Sequence, residues 1–218
     1  STSPSGGENL GSTPSPAAMI KVILFDLGGP IVDWEGGMNA VYRKHEDHRN
    51  LERDTLRNLF QQYIDGGLVG EFHSIVDFFN KTKPSIDMTV EELNEVLDEA
   101  NAAMYVRPEM VAYIKELKKK YQIALLSNFT SGLEKFLQEI FKIYHLFDLV
   151  VSSYNVKMKK PDPRIYKHTL EKLDVRPEEV VFIDDLEENV KGAEAIGIKG
   201  IIFKSVDQCK YDLDKLLS

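Results

Sequence analysis

The stretch Ile20-Lys21-Val22-Ile23-Leu24-Phe25-Asp26-Leu27-Gly28-Gly29 decides the fold. A β-branched, apolar run that ends on an acid and a glycine pair has the pattern of a strand buried on both faces, as in a parallel sheet. Downstream, over 34–104, the spacing becomes helical: Leu56, Leu59, Phe60 and Tyr63, then Phe72, Ile75, Val76 and Phe79. Four helices without strands are expected there. One opens with a Thr89–Glu92 capping box, and the Gly66, Gly67, Gly70 cluster is read as the break between two others.

Beyond Arg107 and Pro108 the alternation returns. It predicts a helix through Lys119, a strand over 122–126, a helix capped by Ser131 with Glu134, and a strand over 149–152. A helix from Pro163, a strand over 180–183, a helix from about Leu186, a strand over 200–203 and a last helix complete the chain. Strands separated by helices imply parallel βαβ units with right-handed crossovers. The expected class is therefore α/β, a doubly wound parallel sheet with ligands at the carboxyl ends of its strands. Residues 19–33 and 105–218 form the expected core, and 34–104 a helical insertion over its edge. Residues 1–18, mostly Ser, Thr, Pro, Gly and Ala, read as a disordered tail or an expression remnant, with the natural frame expected to begin at Met19.

Composition narrows the function. The 218 residues carry a formal net charge of −8, which argues against a nucleic-acid partner. The Lys118, Lys119, Lys120 run is read as a solvated helix terminus. No stretch reaches the roughly 18 apolar residues of a membrane helix, and no basic-then-apolar signal segment opens the sequence. The single cysteine, Cys209, fits a reducing compartment, so a cytoplasmic location is expected, with Cys209 as structural filler.

Polar groups fall just past four of the predicted strands: Asp26, then Ser127 with Asn128, then Lys160, then Asp184 with Asp185. Each alone has a structural explanation as a turn, cap or surface residue. Adjacent acids at the end of an apolar strand, however, repel unless a cation or a helix N-terminus compensates them. One chemistry gives all of them a reason. A carboxylate attacks phosphorus once a divalent cation and fixed donors have neutralised the substrate. Asp26, Asp184 and Asp185 supply hard oxygen ligands for Mg²⁺, while Ser127, the Asn128 region and Lys160 supply donors for phosphoryl oxygens.

At these residues the sequence resembles the haloacid dehalogenase superfamily. Its four motifs match, in order, Ile23-Leu24-Phe25-Asp26-Leu27-Gly28-Gly29, Leu125-Leu126-Ser127-Asn128, Lys160-Pro161-Asp162-Pro163, and Val181-Phe182-Ile183-Asp184-Asp185 with Asn189. The resemblance implies a Rossmann-like core with 34–104 as a small inserted helical cap domain, Asp26 as nucleophile, and Lys160 and Ser127 holding the phosphoryl group. It implies substrate contacts at Leu27, Gly28, Ser127, Asn128 and Lys160. It also implies an Mg²⁺ held by Asp26, Asp185, Asp184 and the Gly28 carbonyl. The substrate would be a small phosphorylated metabolite.

One departure matters. Most phosphatases of the superfamily carry a second Asp two residues after the nucleophile, as general acid and base, where this chain has Gly28. The nearest resemblance is to a subgroup reading Asp-Leu-Gly-Gly or Asp-Leu-Gly-Asn, whose members include sugar-phosphate phosphatases; an anomeric ester such as glucose 1-phosphate fits a site lacking that acid. A cap acid such as Glu35 is a candidate replacement. A 2-haloacid dehalogenase, which needs neither this acid nor Mg²⁺, is one alternative. A non-enzymatic descendant that binds a phosphorylated ligand or a partner protein is another. Trp34 is read as packing where the chain enters the cap, and His45 and His48 as solvated.

Overall fold

The computed structural model describes residues 19–33, 35–68 and 70–217, without the side chain of Glu35. The expectations for 1–18, for Trp34 and for the Glu35 carboxylate lie outside the described residues. In chain order the elements are β1 (Val22–Phe25), β2 (Val32–Asp33), α1 (Glu35–Arg49), α2 (Thr55–Leu68), α3 (Ile75–Thr82), α4 (Val90–Ala102), β3 (Tyr105–Val106) and α5 (Pro108–Leu117). There follow β4 (Gln122–Ser127), α6 (Leu133–Lys135), β5 (Leu149–Ser152), α7 (Ser153–Val156), α8 (Pro163–Leu173), β6 (Val180–Asp184), α9 (Glu187–Glu194), β7 (Lys199–Ile202) and α10 (Val206–Leu217).

β1 is the centre of a five-stranded parallel sheet, ordered β5-β4-β1-β6-β7. Its residues alternate between the two faces. Ile23 and Phe25 join Met110, Ile114, Leu117 and Leu213 of α5 and α10. Val22 and Leu24 join Ile165, Tyr166 and Leu170 of α8 and Ala193 of α9. Helices thus cover both faces, as the apolar run of β1 required.

Glu179, just ahead of β6, fastens the other end of the sheet. It accepts bonds from the Lys21 ammonium (2.7 Å) and the Arg176 N–H (2.8 Å). Those contacts, the Lys21 bond first, pull its pKa from 4.5 down to about 2. A depressed carboxylate contributes stability that is present above its ordinary pKa and is lost as pH falls through the folded one. Glu179→Gln is therefore expected to lower the melting temperature at pH 7. Melts from pH 7 to 2 should show the gap to wild type closing between about pH 4.5 and pH 2; a gap that stays constant would remove the Glu179 charge from the account.

Helices α1–α4 lie between β1 and β4 in the chain and enclose their own core, with Leu56, Phe60, Phe78, Leu93 and Val96 buried and Tyr42 stacked on Phe60. The Thr89–Glu92 capping box forms, its two bonds being 3.2 and 2.8 Å. Glu46 of α1 is buried, and its carboxylate accepts the Asp54 and Leu56 N–H groups at the start of α2.

Several local expectations are corrected. Gly66 and Gly67 lie inside α2, with Phe72 and Thr130 packed where their Cβ atoms would be. Only Gly70, at φ +80°, falls in the break. Ser131 caps no helix: its hydroxyl donates to the His73 carbonyl, while Gly132 precedes a short α6 that runs into a π turn over Phe136–Ile140. His45 is half-buried and bonds Glu99 of α4 at 2.8 Å, whereas His48 is exposed as expected. Lys118 is no mere solvated terminus, because it donates to the Leu146 carbonyl and to Asp148. Strands β2 and β3 were not expected. They pair antiparallel, Val32 with Val106 and Asp33 with Tyr105, where the chain leaves and re-enters the sheet region. Among the described residues no helix is long and apolar enough to cross a membrane.

Candidate active site

The carboxyl ends of β1, β4 and β6 converge, and they carry the predicted residues with them. Asp26 follows β1 directly, and its N–H donates to the Ile183 carbonyl at 2.8 Å, which fixes it against β6. The chain then turns tightly. The Leu27 carbonyl accepts from the N–H groups of Ile31 and Val32, and the Gly29 N–H donates to the Val32 carbonyl. Gly29 has φ +76°, and a side chain there would overlap the Asp185 carboxylate. Glycine is needed both for the backbone angle and for this approach.

Lys160 sits between two acids. Its ammonium lies 2.8 Å from Asp26 Oδ1 and 2.6 Å from Asp184 Oδ2, almost wholly buried. Burial alone would lower its pKa, but Asp26 and Asp184 outweigh that and raise it, so the lysine stays charged. Burial raises the Asp26 pKa above the usual carboxylate range; the Lys160 charge opposes the shift and the Asp184 charge adds to it. Asn128 fixes the lysine's main chain, its amide accepting from Lys160 N–H (2.9 Å) and donating to Lys160 O (3.0 Å). Downstream, Asp162 caps α8 through the Arg164 N–H, with Pro163 in the first turn as predicted.

Asp184 is fully buried and committed on both oxygens. Oδ1 accepts from Leu186 N–H and Asn189 Nδ2, and Oδ2 from Lys160 and the same Asn189 amide. Asn189 is itself buried, and its main-chain carbonyl accepts the Tyr166 hydroxyl. Asp185 is exposed. Carboxylate oxygens of Asp26, Asp184 and Asp185 lie within 4.8 Å of one another. Asp26 and Asp184 share the Lys160 ammonium and the Asp185 carboxylate stands beside them, a set of hard oxygen donors that suits a divalent cation.

Ser127 ends β4, two residues past the Leu125 that pairs with Phe25. Its hydroxyl is buried and has no hydrogen-bond partner. A buried polar atom without a partner needs an explanation, and here a ligand oxygen supplies one. The donor and acceptor set therefore fits both a metal ion and an anion. Gly28 is buried and bridges to Val32.

Three contributions were not foreseen from sequence. Ser153 Oγ accepts the Phe129 N–H and holds the loop after Asn128. The His73 ring bonds the Tyr154 hydroxyl (2.7 Å), and the Lys157 ammonium lies 4.0 Å from the centroid of the Tyr154 ring, so the helical insertion touches the core beside the site. Arg107 bonds the Gly29 carbonyl. Its only sequence signal is its place at the second junction with the insertion.

The chain is 26% identical to bifunctional epoxide hydrolase 2 of Rattus norvegicus over 90% of its own length, but it spans only 39% of that protein. It is 27% identical to phosphoglycolate phosphatase of Aquifex aeolicus, covering 83% of each chain. It is 25% identical to (S)-2-haloacid dehalogenase 1 of a Pseudomonas strain, over 87% of this chain and 86% of that one. Among solved structures, a haloacid dehalogenase family enzyme of Bacteroides thetaiotaomicron, in complex with magnesium and inorganic phosphate, superposes with a TM-score of 0.67. It is 23% identical and covers 86% of this chain and 96% of its own, a likeness of fold. The family model for haloacid dehalogenase-like hydrolases matches residues 20–197, the span from the first strand through α9 that builds the site, and so the chain belongs to the haloacid dehalogenase-like hydrolases.

Proposed function

We propose that this chain is a magnesium-dependent phosphatase of a small phosphorylated metabolite, with residues 34–104 as a cap on a core of 19–33 and 105–218. The gathering of the Asp26, Asp184 and Asp185 carboxylates, the first two paired with the buried ammonium of Lys160, carries the reading. An Mg²⁺ held by Asp26, Asp185, Asp184 and the Gly28 carbonyl would neutralise substrate charge. An Asp26 carboxylate oxygen attacks phosphorus as the bond to the leaving oxygen breaks, which gives an aspartyl phosphate. Lys160 and the Ser127 hydroxyl donate to the phosphoryl oxygens. Water then attacks phosphorus, releasing inorganic phosphate and restoring Asp26. Position 28 offers no side-chain proton, which favours leaving groups that bear negative charge more readily, such as the anomeric oxygen of glucose 1-phosphate.

A 2-haloacid dehalogenase is the second reading. The glycine at 28 and the dehalogenase relative favour it, because halide leaves without a proton. The acid trio weighs against it, since without a cation these groups repel an anionic substrate. Retention of Asp26 and Lys160 weighs against a chain that only binds. A screen of phosphorylated metabolites and 2-haloacids, with and without Mg²⁺, separates the three. Mg²⁺-dependent phosphate release supports the proposal, metal-independent halide release replaces it with the second reading, and neither product leaves a binding protein.

The two acids of β6 should separate in their effects. Asp185→Ala is expected to raise the Mg²⁺ concentration for half-maximal activity more than Asp184→Ala does. Asp184→Ala is expected to lower the melting temperature more, because losing one partner of a buried ion pair costs about 3–5 kcal/mol. Metal titrations and thermal melts of both variants measure this. The reverse order in the titrations would exchange the two roles.

A further inference from the structure

Arg107 opens α5 just after the returning strand β3, and its N–H continues the β2–β3 ribbon by donating to the Ile31 carbonyl at 2.9 Å. Its side chain then reaches back across the ribbon. Nε donates to the Gly29 carbonyl and Nη2 to Asp33 Oδ2, each at 2.9 Å, while the guanidinium lies 5.7 Å from the centroid of the Phe203 ring. One residue thus joins the outgoing linker (Asp33), the returning linker (itself), the sheet core (Phe203) and the turn that follows the nucleophile (Gly29). Gly29 matters beyond the turn, because the Asp185 carboxylate packs directly on it. A shift of the Gly29 peptide removes the surface against which that acid is set.

We propose that Arg107 is a positioning residue, holding the Gly29 peptide so that Asp26 and Asp185 face one ion, and that it ties this geometry to the seating of the helical insertion. The inference rests on the reading of the acid trio as a metal site. It depends on the fork of the guanidinium, which satisfies a carbonyl and a carboxylate at fixed angles; a lysine brings the same charge as a single flexible point. Groups that orient metal ligands are typically worth about 10- to 100-fold in metal affinity or activity.

The test measures Mg²⁺ binding by calorimetry without substrate, for wild type, Arg107→Lys, Arg107→Ala and Asp33→Asn. Arg107→Lys and Arg107→Ala are expected to weaken binding by about tenfold or more. Asp33→Asn keeps the Gly29 bond and should stay within about twofold. In metal-free protein, the Ile31 and Val32 amides, bonded to Leu27, should exchange hydrogen faster in the Arg107 variants. Should Arg107→Ala fail to fold, Arg107→Lys decides. A melting temperature that drops while Mg²⁺ affinity stays at the wild-type value overturns the inference and leaves a packing role. Rescue of affinity by lysine also overturns it. A wild-type chain that binds no Mg²⁺ overturns the metal reading itself, and the inference with it, whereas equal binding by wild type and variants overturns the inference alone.

Discussion

Asp26→Asn will reduce phosphate release to background while the protein stays folded. The substitution removes the attacking oxyanion, together with one anionic ligand of the proposed Mg²⁺ site and one of the two carboxylates on Lys160, and leaves the fold in place. Lys160 keeps Asp184 at 2.6 Å, and losing one carboxylate from a surplus of negative charge relieves repulsion. The amide is isosteric, and the Asp26 N–H bond to Ile183 is made by the backbone. Losing the nucleophile of a covalent mechanism costs a factor on the order of 10³ or more in turnover. Initial rates on an aryl phosphate under saturating Mg²⁺, with a melt of the same sample, measure both halves. Hydrolysis near the wild-type rate by a folded Asp26→Asn protein would end the covalent mechanism.

The second large effect concerns the leaving group and follows from Gly28. General acid catalysis is usually worth a factor of about 10² to 10⁴, and without it the departing oxygen carries most of the charge itself. The rate should then fall steeply as the leaving alcohol becomes more basic. Glucose 1-phosphate, whose leaving oxygen is acidified by the ring oxygen, is expected to be hydrolysed about 10² times faster than glucose 6-phosphate. Values of kcat/KM for aryl phosphates of graded leaving-group pKa, beside the two sugar esters, give the slope. A flat series with equal rates on both sugars means that another group donates the proton. Glu35→Gln would then show whether that acid is the source.

Much of this molecule was legible in the sequence for a specific reason. A strand buried on both faces must be apolar throughout, so 22–25, 122–126 and 180–183 announced themselves, and the polar residues that end them marked the site. Ser131 misled because a hydroxyl followed three residues later by Glu134 matches a capping box, yet a tertiary acceptor, the His73 carbonyl, took that hydroxyl instead. Glycines 66 and 67 misled because local propensity says break, whereas Phe72 and Thr130 fill the space a side chain would occupy. Glu46 capping a helix that begins nine residues later, and Arg107 reaching Gly29 across 78 positions, leave no local pattern at all. The two-residue strands β2 and β3 are too short for any alternation to register.

The ribbon formed by those two strands restricts the motions open to the helical insertion. Two linkers that ran separately would let it swivel like a ball in a socket. Paired through Val32–Val106 and Asp33–Tyr105 and joined by Arg107, they are expected to bend together, which would limit the insertion to a door-like swing. Its free edge meets the core at His73, Tyr154 and Lys157, on the segment that leads into Lys160. An insertion constrained in this way would approach the core along a restricted path that ends where His73 meets Tyr154.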